Sequence, residues 1–518
     1  MESPSTIAAR LAGVNPNKPD TTTMQTTAFG QVVPSVDHSL NVNGYPVTSD
    51  SFLFEKQQTF NRAKTLERMV HPCGSGAFGV FEVTQKVDNL CKADFLSSIG
   101  KKTPVFVRFS TVTLGREFPD SARNPRGFAI KFYTSEGNYD IVGLNWPIFF
   151  VRDPMKGPDV IRSQQRNPQT ALIDFEATFD FLAANPESMH AGTMFFSDRG
   201  TPVGWQYMDG FGCHTFKWTN KDGSQVYIKY HFLTSQGKRD FTFEQAQEMC
   251  GADPDFAKRN LFEAIENENF PSWKACYQVM TMEEAAQVSF DPFDVTKVWP
   301  HSEYPLHEFG KMTLNKNPEN FHRDVEESAF SPGSLVPGIE PSPDMLLQFR
   351  MFFYRDAQYH RLGVNLHQVP VNCPFMAKFV APQSRDGPIR ADMNGGRTHP
   401  YATGTERLGV DGGAGFQSVG LSGAEVSRKS PFKDEGKDSE YDQVRTLYSK
   451  VLTKTQKQNL HKNTALGLKW CRPGIQEAYL DALEKISLDY REGVVSYLNS
   501  SVKTSITSKL AAVIGGIE

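Results

Sequence analysis

The chain lacks any apolar run that approaches the roughly 18 residues needed to cross a bilayer, so a membrane-spanning helix is not expected. Residues 1–40 are polar and hold no apolar stretch behind basic residues, which argues against a secretory leader. Long basic runs are absent and the net charge is −4, a balance that excludes nucleic acid as the expected partner. Cysteine is sparse. The seven (Cys73, Cys91, Cys213, Cys250, Cys276, Cys373 and Cys471) are odd in number and scattered, which suits free thiols in a reducing compartment. Ser508-Lys509-Leu510 has the form of a peroxisomal address, yet the sequence ends Gly515-Gly516-Ile517-Glu518, and such a signal must be terminal. A cytoplasmic or peroxisomal location is therefore expected. No internal repeat is visible.

What is present is ordinary globular composition at a length, 518 residues, that can bury a large core: 39% hydrophobic and 22% charged. Residues 1–60 are rich in Pro, Thr, Asn and Ser without periodicity and read as an extended arm. From 61 to 315 short alternating segments recur (103–111, 127–134, 139–151, 213–218, 225–233), the pattern of an antiparallel barrel with helical insertions at Phe175–Ala184 and Phe243–Met249. Residues 316–440 read as a wrapping segment that turns into a Gly/Ser/charge-rich linker from about 395, and 441–518 as a helical region with three-to-four apolar spacing in Gln443–Tyr448 and Ile475–Ile486. The class is α+β.

Arg350 and Tyr354 are the most informative pair. Ser342-Pro343-Asp344 reads as N-cap, first-turn proline and first-turn acid of a helix, on which residues four apart share a face. A permanent cation against a phenol favours the phenolate, and a phenolate on a buried helix is suited to axial ligation of a haem iron. Spacing alone also permits a core tyrosine beside a surface arginine. A second segment bears on the choice. His71-Pro72 precedes Gly74-Ser75-Gly76-Ala77-Phe78-Gly79, and glycines there would let backbone approach a flat ligand. Arg108 and Ser110 alternate with Val107 and Phe109 and so share one strand face.

With these segments the chain resembles the haem catalases, from about Phe60 to Val451 and in the same order. The match runs through Asn124-Pro125-Arg126-Gly127, Pro147-Ile148-Phe149-Phe150, Arg166-Asn167-Pro168-Gln169-Thr170, Phe290-Asp291-Pro292-Phe293-Asp294, Lys297-Val298-Trp299-Pro300-His301 and Val371-Asn372-Cys373-Pro374. The resemblance implies the catalase fold, an eight-stranded antiparallel barrel with arm, wrapping segment and helical tail, in a homo-oligomer (dimer or tetramer). It implies haem b, with Tyr354 as iron ligand, Arg350 as its charge partner, and His71 as the distal histidine. Arg68, Arg108 and Arg361 would meet the propionates, and Val70 and Phe149 would line the distal side.

Several positions depart from that family's pattern. In Gly143-Leu144-Asn145-Trp146 the slot of the catalytic asparagine holds Leu144, and Asn145 would point to the opposite strand face. Removing one such polar donor typically costs about a hundred- to a thousandfold in rate. Asn124 replaces the family's channel acid, Gly157 an aromatic, Gln358 a histidine and Cys213 a serine. Of the positions that bind NADPH in many catalases, His190, Ser197, Arg199, His231, Val298, Trp299, His301, Gln443 and Val451 fit. Met194, Asp209 and Leu233 replace Phe, Asn and Lys, which implies a weakened NADPH site. Asp209 and Arg199 could instead hold the ammonium and carboxylate of an amino acid. Within the family these departures are most similar to the catalase-like chanoclavine synthases of fungal ergot alkaloid biosynthesis. Those close a ring oxidatively, with loss of carbon dioxide, on an N-methylated dimethylallyltryptophan diene, using molecular oxygen or reduced oxygen species. The alternatives are an ordinary catalase, a haem enzyme acting on an organic hydroperoxide, and a non-enzymatic haem-binding relic. An organic substrate would sit at the haem, in the roomier space Gly157 and Leu144 leave, or in the NADPH-like pocket.

Overall fold

The computed structural model describes residues 25–33, 35–382, 384–397, 399, 401 and 428–501. They fall into two compact units, divided after Glu67. The first holds a small hairpin, β1 (Asn41–Val42) with β2 (Tyr45–Pro46), and a helix, Ser51–Asn61. Asp50 caps that helix by accepting from Leu53 N, and no residue of the helix is buried.

The second unit is built on a barrel. Its strands are β3 (Gly74–Val83), β4 (Lys102–Thr111), β5 (Arg126–Thr134), β6 (Gly137–Leu144), β7 (Gly210–Phe211), β8 (Phe216–Thr219), β9 (Gln225–Thr234), β10 (Ser272–Thr281), β11 (His307–Lys316) and β12 (Ile339–Pro341). The order β10-β11-β3-β4-β5-β6-β7-β9 is closed by antiparallel pairing of β9 with β10, giving the expected eight-stranded ring; β8 and β12 extend from β9 outside it. Closure leaves no edge within the ring.

Side-chain alternation explains where the site lies. Val105, Val107 and Phe109 of β4 join Phe128, Ile130 and Phe132 of β5 and Trp273 of β10 in one buried aromatic-aliphatic core. The opposite face carries Phe106 of β4 and Val142 of β6, in a cluster with Val325, Phe330 and Val371 against which Tyr354 packs. The tyrosine helix, Met345–Leu362, thus lies against the outer face of β4–β6. Helices Glu176–Ala184, Met189–Phe196, Lys454–Leu468, Pro473–Ile486 and Leu488–Ser501 share a separate core around Phe179, Leu460, Tyr479 and Leu483. Thr453 and Gln456 form a capping box at the start of one of these.

Local readings change in four places. The glycine-rich run after His71 forms strand β3, which was not among the strands expected from sequence: a Cβ at Gly74 would lie 2.1 Å from Phe109 O and one at Gly79 2.1 Å from Thr313 O. Those glycines admit neighbouring strands. The strand expected over 139–151 ends at Leu144, because Asn145 turns its amide back to Arg126 N and Arg199 O and Pro147 has no N–H. The strand expected over 213–218 starts only at Phe216, since Cys213 adopts φ 59°. The helix cap is Asp344 rather than Ser342; its carboxylate accepts from Leu347 N at 3.0 Å. β10 and β11 had no counterpart in the sequence reading. Residues 1–24, 402–427 and 502–518, which include the beginning of the arm, most of the linker and Ser508–Leu510, lie outside the described residues.

Candidate active site

The tyrosine helix presents Arg350 and Tyr354 on one face, as the four-residue spacing predicts. The Arg350 guanidinium donates to the phenol oxygen and lies 4.4 Å from the ring centroid. A relay continues behind it. Arg350 Nη1 meets His214 Nε2 at 2.7 Å, and His214 Nδ1 meets Asp344 Oδ2 at 2.6 Å. Arginine can only donate, so His214 accepts at Nε2 and donates from Nδ1, the neutral tautomer. Burial, which lowers the His214 pKa, agrees. Burial alone would raise the Asp344 carboxyl. Facing His214, the Leu347 amide and Lys229 outweigh it, and the pKa is lowered. Neither His214 nor Asp344 in this relay was identified from sequence, because they lie 130 residues apart.

His71 approaches from the β3–β4 side. It takes φ 62°, an uncommon conformation for a residue with a Cβ, and is held by His71 N donating to Val112 O at 2.8 Å. Nδ1 lies 2.9 Å from Ser110 Oγ. Gly127 lies under the pair; a Cβ there would stand 2.4 Å from Ser110 Oγ and 2.6 Å from His71 Nδ1. Burial, with the cations of Arg108, Arg350 and Arg68, pushes the His71 pKa down to about 3, so the imidazole is neutral at physiological pH.

Between His71 and Tyr354 lies a cavity walled by Val70, Val112, Leu144, Phe149, Ile161 and Phe353 among others. Leu144, at the end of β6, is packed with Val112, Cys213, Val295 and Leu346. It offers the imidazole no hydrogen bond. Asn145 is consumed elsewhere, as expected. Gly157 lines the cavity, and a Cβ built on it meets nothing within 4 Å. Asn124 does not line this cavity; its amide oxygen accepts from Val112 N and Thr113 N, and its nitrogen donates to Thr113 Oγ.

The guanidiniums of Arg68, Arg108 and Arg361 converge as anticipated. Arg68 and Arg361 both donate to the Glu326 and Ser328 carbonyls. Arg68 and Arg116 pair with the Glu326 carboxylate, and Gln358 accepts from Arg361. Burial and mutual repulsion lower the Arg68 pKa and bring Arg108 and Arg361 to about 10, Glu326 opposing. Arg108 Nε is buried with no partner. Buried cations in excess of their carboxylates require further anions. A dianionic planar group spanning from this cluster to Tyr354 meets that requirement, so the residues present fit haem.

A second cavity brings together His190, Met194, Arg199, Asp209, His231, Leu233, Val298, Trp299, His301, Gln443 and Val451. Ser197 is not part of its wall: its hydroxyl donates to Met194 O and accepts from Arg199 N, capping the turn. Gln443 is locked to both backbone groups of Val298. Two lysines of the wall are among the residues that escaped the sequence reading. Lys229 donates to Cys213 O and Lys297 O. Lys238 pairs with Asp209 at 3.0 Å, so the cation lost at Leu233 returns five positions later and the Asp209 charge is already compensated. Cys213, buried, borders both cavities.

A closed eight-stranded barrel, with a tyrosine–arginine helix across its outer face and a histidine opposite, defines a class of haem oxidoreductase. The family model described as catalase matches residues 26–407, and one described as catalase-related immune-responsive matches 434–498. The peroxisomal catalase of Toxoplasma gondii is 44% identical over 90% of this chain and 94% of its own length. The catalase of Rattus norvegicus is 43% identical over 93% and 91%. Catalase A from Saccharomyces cerevisiae superposes with TM-score 0.86 at 39% identity, over 92% of this chain and 99% of that one. The chain belongs to the catalase family, whose cofactor is haem b, and it is a haem oxidoreductase by that membership. Among the described residues no helix is long and apolar enough to cross a membrane.

Proposed function

We propose that this protein is a catalase-fold haem oxidoreductase whose distal side has been turned from peroxide disproportionation to oxidation of an amino-acid-derived organic substrate. The observation that carries this is Leu144, a hydrocarbon wall packed beside a histidine that Ser110 and Gly127 still hold in place. Haem, bound through Tyr354 with Arg68, Arg108 and Arg361 at its propionates, would supply the redox chemistry with oxygen or peroxide. Arg350 donates to the phenol oxygen, and the His214–Asp344 relay holds Arg350 in place. His71 is neutral and can accept a proton from an oxygen substrate. Leu144 itself supplies no polar group to orient that substrate or stabilise its developing charge. The finer reading is oxidative, decarboxylative ring closure of an N-methyl-dimethylallyltryptophan diene to chanoclavine, with molecular oxygen or its reduced forms as co-reactant and the second cavity as the organic site. It rests on the combination of Leu144, Gly157, Asp209 and Leu233.

Disproportionation of hydrogen peroxide is the competing reading, and the comparisons back it better than they back ring closure: the relatives are named catalases. The retained His71–Ser110 and Arg350–Tyr354 contacts also favour it. Specific peroxide turnover decides. We expect it to be about a hundredfold or more below an ordinary catalase and to rise at least tenfold in Leu144→Asn. Turnover at the usual catalase level in the unaltered protein would establish the competing reading.

A further inference from the structure

The second cavity carries an unusual charge set. Arg199 is half-buried in its wall, and its guanidinium makes no hydrogen bond or ion pair among the described residues. Lys238 follows Gly237, whose φ of 76° marks a turn; its side chain is 65% exposed and reaches the 6%-exposed carboxylate of Asp209. Asp209 is anchored from the other side, where Oδ1 accepts from Thr234 N at 2.9 Å. The Lys229 ammonium is committed to two carbonyls. His190 and His231, each 4% exposed, present Nδ1 atoms without partners, and burial keeps both imidazoles neutral with pKa lowered to about 3. Of these cations only Lys238 is matched by a carboxylate of the wall, and the open Arg199 guanidinium with the unpartnered histidine nitrogens calls for a ligand that carries a carboxylate.

We propose that the Lys238–Asp209 pair is the specificity element of this cavity, opening to hold an α-amino acid by both of its charges. The inference deepens the reading of the second cavity as the organic-substrate site and rests on it. A zwitterion carries the same two charges as the pair, so it can enter without leaving either side chain unpaired: its ammonium takes Asp209, and Lys238 swings with Arg199 onto its carboxylate. The fixed partner is the buried one and the mobile partner the exposed one, which is the arrangement exchange requires. Trp299 and Met194 offer apolar surface for an indole and its alkyl groups. A ligand with three or more negative charges would have to be held against Asp209.

Calorimetric binding to purified holoprotein tests this with four probes: N-methyl-L-tryptophan, the amine N-methyltryptamine, the acid N-acetyl-L-tryptophan, and NADPH. N-methyl-L-tryptophan should bind roughly tenfold or more tighter than the amine or the acid, one charged hydrogen bond being lost with each. Lys238→Met should weaken the zwitterion yet strengthen the amine, because Asp209 is freed. Asp209→Asn, which keeps an acceptor for Thr234 N, should weaken the zwitterion yet strengthen the acid. These opposed signs do not arise from a structural defect, and haem absorption should stay unchanged in both variants. If Asp209→Asn fails to fold, Lys238→Met on its exposed turn carries the test. NADPH binding above all other probes, binding by none of them, or equal weakening of every probe in both variants overturns the proposal. Such a failure leaves the peroxide turnover of Leu144→Asn, and with it the distal-side reading, standing.

Discussion

Tyr354 sits where two independent constraints meet: a guanidinium on its oxygen and a ring wedged against Phe330 and Val371 on the outer face of β4–β6. Replacing it by phenylalanine keeps the packing and removes the oxygen. Tyr354→Phe should therefore stay folded and lose most of its haem, or retain it with a strongly altered absorption spectrum. The haem-to-protein ratio and the ferric spectrum check this, and an unchanged spectrum at full haem content removes the ligand assignment. This pair was legible in the sequence because its logic is local, four residues on one helix. Leu144 was legible through the resemblance to catalases, with strand alternation only excluding Asn145 as its substitute. Lys238 was not. It replaces the cation missing at Leu233 from a turn, out of strand register, and only the fold shows that its reach ends on Asp209.

At the scale of elements, the tyrosine helix is tied to the barrel by its N-cap residue. Asp344 caps the helix at Leu347 N and, with its other oxygen, holds His214 behind Arg350. One carboxylate thus sets both helix stability and ligand electrostatics. Asp344→Ala should cost about 1–2 kcal/mol for the cap alone, and more for the orphaned His214. Asp344→Ser restores a cap without the charge, so it should recover part of the melting temperature while leaving the haem spectrum displaced. Equal recovery of both would separate Asp344 from the relay. Gly127→Ala is the matching test on the barrel side. Its Cβ would push into Ser110 Oγ and His71 Nδ1, and we expect peroxide reactivity to fall about tenfold or more as His71 is displaced. Unaltered reactivity in that variant would show that the imidazole position is not critical. Strand β3 was not assigned from sequence, because its glycines interrupt the alternation of larger side chains. Each in fact makes room for a neighbouring strand, information that lies in the pairing partner rather than in the run itself.

For the whole molecule, neutral buried histidines dominate the response to acid. His71, His190 and His231 stand at two separate cavities and share one cause: burial, aided by nearby arginine and lysine, lowers each pKa from 6.5 to about 3. In the unfolded chain each takes up a proton near pH 6.5; in the folded protein none does until about pH 3. The unfolded state therefore binds more protons throughout that window. The stabilisation is fully present above pH 6.5 and is lost progressively as the pH falls towards 3. Each histidine adds up to about 1.4 kcal/mol per pH unit to the slope. Asp344, whose pKa is also lowered, reinforces the loss at the acid end. The melting temperature of the holoprotein should accordingly be level near neutrality and drop steadily from pH 6.5 to 4.5. His231→Asn, which removes one proton site in the second cavity without touching the haem side, should shallow that drop. A melting temperature independent of pH over this range would mean that the imidazoles are hydrated or already charged in the folded protein, contrary to their burial.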